Sequence, residues 1–403
     1  MIKRQQYIEK LIQAKDTDFV KILTGVRRAG KSTLLQMFKD HLIIEGANPS
    51  CVLEINFEKF ENEKYKDGAA LHAYLQENSG KGQRLYLLID EVQEMQEWAK
   101  VINSLRVSFN ADIYLTGSNA TLFSGEYLTY LAGRYLEIKV YPLSFMEYLE
   151  FHDIGKNEDL PARFAAYLDN GSFPAAALTN DEGLVRTINQ GLFDSIFARD
   201  IMMRGQIRDA GSFYKVAKYI AENIGSHVSA NNIANVLKSE GSSIKSDTVD
   251  NYLKLMCGAF VLYQCDRFDI RGKARLRSNG KYYIVDTGIR NQLIGPDQSN
   301  RGHILENVVY LELLRRGYMV QTGKNGDAEI DFYAQRGKVQ VYIQVAWSIM
   351  DDQTRAREQN AFEGLPDAFP RYVISMDDFD LSEKGIRHIR AFDFLLQKTV
   401  ELN

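Results

Sequence analysis

Little cysteine, no long apolar run and no excess of positive charge set the first limits on this 403-residue chain. Its three cysteines, Cys51, Cys257 and Cys265, stand in apolar surroundings without C-x-x-C spacing. They read as reduced, buried core residues of a cytosolic protein rather than as a disulfide framework. No stretch approaches the roughly eighteen apolar residues of a membrane-spanning helix. The first residues, Met1 to Gln6, lack the apolar segment of a signal peptide. The expected location is therefore cytoplasmic, without a membrane partner. A net charge of −4 argues against a globally basic nucleic-acid binder, so any such role must rest on a local patch. No internal repeat or low-complexity tract appears. At 45% hydrophobic and 25% charged, the composition is that of an ordinary globular protein, long enough for two to four domains.

What is present begins with Gly25-Val26-Arg27-Arg28-Ala29-Gly30-Lys31-Ser32, which fits the phosphate-binding pattern G-x-x-x-x-G-K-[ST] at every constrained position. The run follows the apolar stretch from Phe19 to Leu23 and opens a helical stretch from Thr33 to Asp40, the strand–loop–helix setting that the chemistry requires. Glycines let the backbone curl, so that N–H groups and the helix N-terminus face a polyphosphate. The expected ATP-binding set is Gly25, Arg27, Arg28, Ala29, Gly30, Lys31, Ser32 and Thr33. Within it Lys31 supplies a point charge for the β- and γ-phosphates, and Ser32 a hydroxyl for Mg²⁺.

The second half of such a site lies in Leu85-Tyr86-Leu87-Leu88-Ile89-Asp90-Glu91, an apolar strand ending in two adjacent carboxylates. Asp90 is placed to hold Mg²⁺ through water, beside Ser32. Glu91 is placed to orient or deprotonate an attacking water. A buried parallel strand with a polar end is the plain alternative, and it is outweighed once both motifs stand in order. The two together imply binding and hydrolysis of a nucleoside triphosphate with Mg²⁺ as the metal.

Residues 1–150 alternate strands and helices. The strands are expected at Phe19–Thr24, Val52–Phe57, Leu85–Asp90, Ile113–Gly117 and Tyr135–Val140, with a helix over Glu97–Phe109. Such alternation implies an α/β, P-loop NTPase parallel sheet of the ASCE/AAA type, with its ligand at the strands' carboxyl ends. Pro142-Leu143-Ser144-Phe145 breaks the pattern, and 151–205 reads as a helical lid or connector. Residues 206–290 read as three helices and a β-hairpin, a winged-helix domain, with strands at Ala259–Cys265 and Lys281–Asp286 joined by a basic loop. Residues 291–403 read as helix (His303–Arg316), three strands (Met319–Gly323, Glu329–Ala334, Val339–Val345), a polar helix, a strand and a helix, a small α/β domain.

Several stretches resemble a prokaryotic family of AAA-type ATPases. They are Leu23 to Thr33, Leu88 to Gln93, Leu115 to Asn119, Leu131 to Tyr135, Tyr141 to Phe145, Ala198 to Ile201 and Tyr282 to Gly288. The N-terminal part is similar to the AAA_14 family, and the C-terminal part resembles a domain of unknown function, DUF4143. The resemblance implies ATP hydrolysis assisted by nucleotide-sensing residues. It places Ser118 and Asn119 at the sensor position, although Gly-Ser-Asn equally favours a plain turn. It marks Asn56 as the polar residue that holds the catalytic glutamate inactive. Arg134 matches an arginine finger, acting in cis or in trans; a helix-end arginine paired with an acid fits it equally. Arg199 is a further basic candidate, with the plainer role, shared with Asp200, of bracing a domain junction.

The order of elements after residue 291 resembles the restriction-endonuclease-like fold. That likeness implies an acid on the first helix, an Asp on the second strand and Glu-x-Lys on the third, carboxylates that bind Mg²⁺ beside a lysine that assists water. The positions that match here are Glu306, Asp331, Gln344 and Ala346. Gln344 is neutral and Ala346 has no part in that chemistry, so the site is expected to be degenerate and the fold to serve structure or binding.

Arg267, Arg271, Lys273, Arg275, Arg277 and Lys281 face Asp266 and Asp269 across the expected wing. Arg271, Lys273, Arg275 and Arg277 are its candidate contacts to a phosphate backbone, against a solvated loop as the alternative. The leading expectation is a Mg²⁺-dependent ATPase acting as a nucleic-acid-associated motor or switch. A signalling ATPase whose C-terminal domains hold a protein partner is the rival, an active nuclease the third reading, and a homo-oligomer is open in each.

Overall fold

Five apolar runs become the parallel sheet that positions the phosphate-binding loop. The structure, a computed structural model, describes residues 2–78, 83–120, 126–152, 159–297, 299–396 and 402, without the side chains of 126–128 and 275–279. It divides into two compact units, Met1–Pro142 with Gly258–Phe260, and Leu143–Cys257 with Val261–Asn403.

In the first unit the strands are β1 (Val20–Thr24), β2 (Val52–Asn56), β3 (Leu85–Asp90), β4 (Ala111–Gly117) and β5 (Tyr135–Lys139). The helices are α1 (Gln5–Ala14), α2 (Lys31–Ile44), α3 (Gly68–Asn78), α4 (Trp98–Ser108) and α5 (Glu126–Leu131). All strand pairs are parallel, in the order β2-β3-β4-β1-β5. β1 is buried along its whole length, as a central strand covered on both faces must be. Even its Lys21 is fully buried, paired at 2.5 Å with Asp112. Ile22, Ile55, Leu87, Ile89, Ile113 and Leu115 pack with Trp98, Ile102 and Leu105 of α4 into one core. The sheet order has a consequence for chemistry. β4 lies between the strand that enters the phosphate loop and the strand that ends in Asp90, so the carboxyl end of β4 falls between the two motifs.

The second unit opens with α6 (Phe145–Phe151), α7 (Leu160–Asn170) and α8 (Glu182–Asp194), which runs on into a π-helical segment, Ser195–Met203. Next come α9 (Ala210–Glu222), α10 (Ala230–Ser239), α11 (Ser246–Gly258), β6 (Leu262–Asp269), β7 (Ala274–Ile284) and α12 (Thr287–Ile294). Then follow α13 (Arg301–Arg315), β8 (Met319–Asn325), β9 (Ala328–Arg336), β10 (Val339–Val345), α14 (Asp352–Asn360), β11 (Arg371–Ser375), β12 (Ile386–Arg390) and α15 (Ala391–Leu396). Ser229 caps α10 by accepting from Asn232 N at 3.1 Å, as its position ahead of an apolar-periodic run suggests.

Here the structure departs from the sequence expectations. The hairpin does not stand apart as a wing. β6 pairs in parallel with β8, Arg267–Asp269 against Thr322–Lys324, and closes a seven-stranded sheet in the order β12-β11-β10-β9-β8-β6-β7. A free hairpin would leave one edge of β6 unpaired, and Cys265 on it is fully buried. The sheet thus runs across the expected boundary at 290/291. The basic loop from Arg267 to Lys281 is mostly strand, with only 270–273 between β6 and β7.

The helices of 151–205 are grouped with this C-terminal unit. Asp286 accepts from Ser172 N at 2.5 Å and Ser172 Oγ at 2.7 Å while capping α12 through Ile289 N at 3.0 Å. The backbones meet closely there, since a Cβ on Gly288 would stand 2.8 Å from Asn170 O. The unit begins at Leu143, inside the Pro142–Phe145 break rather than at 151.

Candidate functional site

The phosphate loop is shaped by two glycines with positive φ. Gly25 has φ +139°, and a Cβ there would lie 2.0 Å from Val140 O, so no other residue fits. Gly30, φ +98°, starts α2 without a side-chain cap. The first-turn N–H groups of α2 are thereby left for an anion. Lys31 is buried, and its Nζ donates to Gly25 O at 2.8 Å and Val26 O at 3.0 Å, folded back along the loop. Ser32, Thr33 and Arg28 are exposed, Arg28 in the left-handed region at φ +66°. Arg27 is ion-paired with Glu58, and Ala29 is buried.

Sequence reasoning gave no role to Arg4. Its Nη1 donates to Ala29 O at 2.9 Å and its Nη2 to Pro142 O at 3.3 Å, which ties the loop to the start of α1.

Asp90 and Glu91 end β3 as expected, and both are buried. Asp90 accepts from Thr116 Oγ1 and from Asn56 Nδ2, the latter at 2.8 Å, and Ser32 hydrogen-bonds to it as well. Burial raises its pKa, partly offset by the Thr116 and Ser32 hydrogen bonds and by Lys31, while the neighbouring Glu91 charge raises it further. A Ser32 hydroxyl beside an Asp90 carboxylate is a hard-oxygen donor set of the kind Mg²⁺ takes. Glu91 adopts φ 57°, ψ 52°, a left-handed conformation costly for a non-glycine residue and concentrated at functional sites. Its Oε2 accepts from Gln93 Nε2 and from Ser118 Oγ at 3.4 Å, and its N–H donates to Thr116 Oγ1 at 2.9 Å.

One reading changes here, and two residues without an expected role enter the site. Asn56 reaches Asp90 instead of Glu91, because Asn56 is in register with Asp90 on neighbouring parallel strands. Gln93, two residues after Glu91, takes the place next to the glutamate. Thr116 touches both acids, and the only sequence signal for it was its place ahead of Gly117-Ser118-Asn119. Ser118 is fully buried and meets Glu91, while Asn119 is half-buried one residue on. Arg134 is not brought to the site. It is exposed, and its carbonyl accepts from Val20 N at 2.9 Å at the amino end of β1. The phosphate loop leaves the other end of that strand, about 13 Å away at the usual rise of a strand.

In the second unit the nuclease-like positions gather around a lysine. Lys281 of β7 is buried, and its Nζ lies 2.9 Å from Glu306 Oε1, 2.7 Å from Glu329 Oε1 and 3.4 Å from Asp331 Oδ1. Glu306 also accepts from Tyr283 Oη at 2.6 Å, and Glu329 pairs with His227 at 2.5 Å. Burial and the Asp331 charge push the Glu306 carboxyl up to about 8. The His227 and Lys281 contacts hold Glu329 down at about 2 against its burial. Lys281 is held charged by its carboxylates. Gln344 is no ligand: its Oε1 accepts from Asp331 N at 2.6 Å and its Nε2 donates to Glu358 Oε2 at 2.8 Å. Ala346 is packed in an apolar cluster with Ile349, Phe362 and Val373. The group lines a cleft of about 1270 Å³.

Lys281 is therefore withdrawn from the expected basic patch. Arg271 is engaged too, its Nε donating to Asn325 Oδ1 at 2.9 Å. Lys273 is exposed at the turn between β6 and β7. Arg275 and Arg277 lie on β7 with side chains outside the described residues. Arg199 is exposed and Asp200 buried in the π-helical segment. Among the described residues no helix is long and apolar enough to cross a membrane.

Comparison with known proteins gives matches in both units. Residues 17–149 match the AAA domain family AAA_14. An uncharacterized protein of Haemophilus influenzae is 41% identical over 400 residues, 98% of this chain and 99% of its own length. The chain belongs to that protein's family. A further relative in it, the uncharacterized protein MJ1544 of Methanocaldococcus jannaschii, is 30% identical over 366 residues, 85% of this chain and 78% of its own. In the C-terminal part the matching family is a domain of unknown function, DUF8612, over residues 162–300, and not DUF4143. That stretch spans α7 to α12 and so crosses two of the boundaries expected from sequence. Among solved structures, the Aeropyrum pernix Orc1 protein in complex with DNA aligns at 10% identity and TM-score 0.31, covering 72% of this chain and 90% of that one. AMPPCP-bound DnaA from Aquifex aeolicus aligns at 14% identity and TM-score 0.33, covering 62% and 85%.

Proposed function

We propose that the chain is a Mg²⁺-dependent ATPase that couples ATP hydrolysis to a partner held by its C-terminal unit. The observation that carries this reading is the convergence of Lys31, Ser32, Asp90 and Glu91 at the carboxyl ends of β1 and β3. The first-turn N–H groups of α2 and the loop from Gly25 would bind the phosphates, and Lys31 would exchange its two loop carbonyls for phosphate oxygens. Ser32 and Asp90 would hold Mg²⁺, which supplies charge neutralisation on the phosphate oxygens. Glu91, aimed by Gln93 and Ser118, would orient a water and accept its proton. Asn119 follows in the sensor position. Arg134 would act on a second copy's nucleotide, since its own lies too far along the strand.

Nucleic acid is the first candidate partner, through Lys273 and the β7 arginines Arg275 and Arg277. A specific observation favours the rival, a protein partner: Lys281 is buried among acids, which thins the basic patch of a chain whose net charge is −4. The deciding experiment measures ATP turnover of the full chain with Mg²⁺, alone and with duplex DNA, single-stranded DNA, RNA or cell extract. Turnover absent in every condition would sink the ATPase reading. Stimulation by nucleic acid selects the first partner, and stimulation by nuclease-treated extract alone selects the second.

A further inference from the structure

The acids of the nuclease-like site converge from two elements on one cation that the chain itself supplies. Glu306 comes from α13, and Glu329 and Asp331 from β9, while Lys281 comes from β7 at the opposite edge of the sheet from β12. An ammonium group has three N–H donors and no acceptor. Three acidic side chains stand at 2.9, 2.7 and 3.4 Å from this one, each on a different residue. The donors are thus matched one to one, and none is left for a water or a phosphate.

We propose that Lys281 is a built-in cation occupying the place a divalent metal would take in a nuclease-like site, so that the cluster holds no metal and cleaves no phosphodiester.

The other oxygens support the same reading. Glu306 Oε1 is shared with Tyr283, and Gly225 packs so close that a Cβ there would lie 3.1 Å from Glu306 Oε2. The second oxygen of Glu329 is taken by His227, and Asp331 Oδ2 accepts from Val345 N at 2.9 Å. Mg²⁺ takes one or two carboxylates and completes its octahedron with water, and the oxygen that each acid would offer it, Glu306 Oε1, Glu329 Oε1 and Asp331 Oδ1, is taken by Lys281. The lysine is also in the wrong place for catalysis. In the nuclease-like pattern it would sit two residues beyond Gln344, where Ala346 is buried in an apolar cluster. A lysine that assists water stands beside the metal; this one stands among the metal's ligands.

The test counts Mn²⁺ bound to the full chain by electron paramagnetic resonance, without nucleotide, in wild type, Asp331→Asn and Lys281→Met. Wild type and Asp331→Asn are expected to bind equally, because the cluster contributes no site to either. Lys281→Met leaves three carboxylates without their cation and is expected to bind one additional Mn²⁺. Wild type binding one ion more than Asp331→Asn would overturn the proposal, as would a folded Lys281→Met with no gain. Far-UV circular dichroism checks that variant's fold, and if it does not fold, the comparison of wild type with Asp331→Asn decides alone. Incubation of wild type with duplex and single-stranded DNA in Mn²⁺ is expected to give no cleavage. Cleavage that Asp331→Asn abolishes would likewise overturn it.

Discussion

Thr116 Oγ1 accepts the amide of Glu91 at 2.9 Å and donates its own proton to Asp90. One hydroxyl from β4 therefore holds the Asp90 carboxyl and fixes the backbone of Glu91, which sits in a left-handed conformation. Thr116→Val keeps the shape and removes both bonds. ATP turnover is expected to fall about 10- to 100-fold, with nucleotide affinity changed only a few-fold. Steady-state kinetics beside fluorescent-nucleotide binding would check it, and unchanged kcat would remove Thr116 from the site.

Binding and turnover are expected to separate at the two motifs. Lys31→Ala removes the phosphate-facing charge and should abolish or severely weaken ATP binding. Glu91→Gln should bind ATP normally and lose turnover by orders of magnitude, since only the proton-accepting carboxylate is gone. Gln93→Ala, acting on the aim of Glu91, should lower kcat by less. Asn56→Ala should instead shift the Mg²⁺ dependence, because its partner is Asp90. Wild-type turnover in Glu91→Gln would refute its assigned role.

Arg134 offers a test of assembly. Arg134→Ala alone should bind ATP and turn it over slowly, and mixing it with Lys31→Ala should restore part of the activity through hybrid interfaces. Full activity in Arg134→Ala by itself would leave it no catalytic part.

The carboxylate–lysine cluster links stability to pH. Glu306 titrates at about 8 when folded against an ordinary value of 4.5. The unfolded chain thus loses this proton first as pH rises, and the folded state is penalised. The contribution is fully present below pH 4.5 and is lost as pH climbs through 8, with an upper bound on the order of 5 kcal/mol at about 1.4 kcal/mol per unit. Glu329, held at about 2, works the other way and matters only as pH falls below 4.5. Urea unfolding of wild type should weaken from pH 5 to 8.5, and Glu306→Gln should flatten that slope. An identical slope in both would place the titration elsewhere.

Lys273 and Arg271 are neighbours in sequence with different expected phenotypes. If DNA binds at the turn, Lys273→Ala should weaken it for unrelated sequences alike and lower the salt slope by about one unit. Arg271→Ala should lower the unfolding midpoint by releasing Asn325, whose amide donates to Ala361 O at 3.0 Å. Binding titrations at several salt concentrations and thermal melts separate the two. No DNA or RNA binding at low salt would assign the partner to a protein.

Local chemistry was legible in the chain itself. Gly25 to Ser32 announces a phosphate loop because backbone curl, helix start and lysine are contiguous. Leu85–Glu91 reads as a buried strand ending in acids because a parallel strand must be apolar along its length. The strands of the first unit fall within one or two residues of their expected limits. Contacts between distant segments were not legible. That Thr116 and Ser118 meet Asp90 and Glu91 follows from β4 lying between β1 and β3, an order that no periodicity encodes. Asn56 faces Asp90 through strand register, and Arg134 is removed from the nucleotide by the direction of β5. Lys281 looked like one more charge on a solvated wing. Only the pairing of β6 with β8, which buries the hairpin's inner face, carried its ammonium to three carboxylates, because a buried charge is tolerable only where opposite charges meet it.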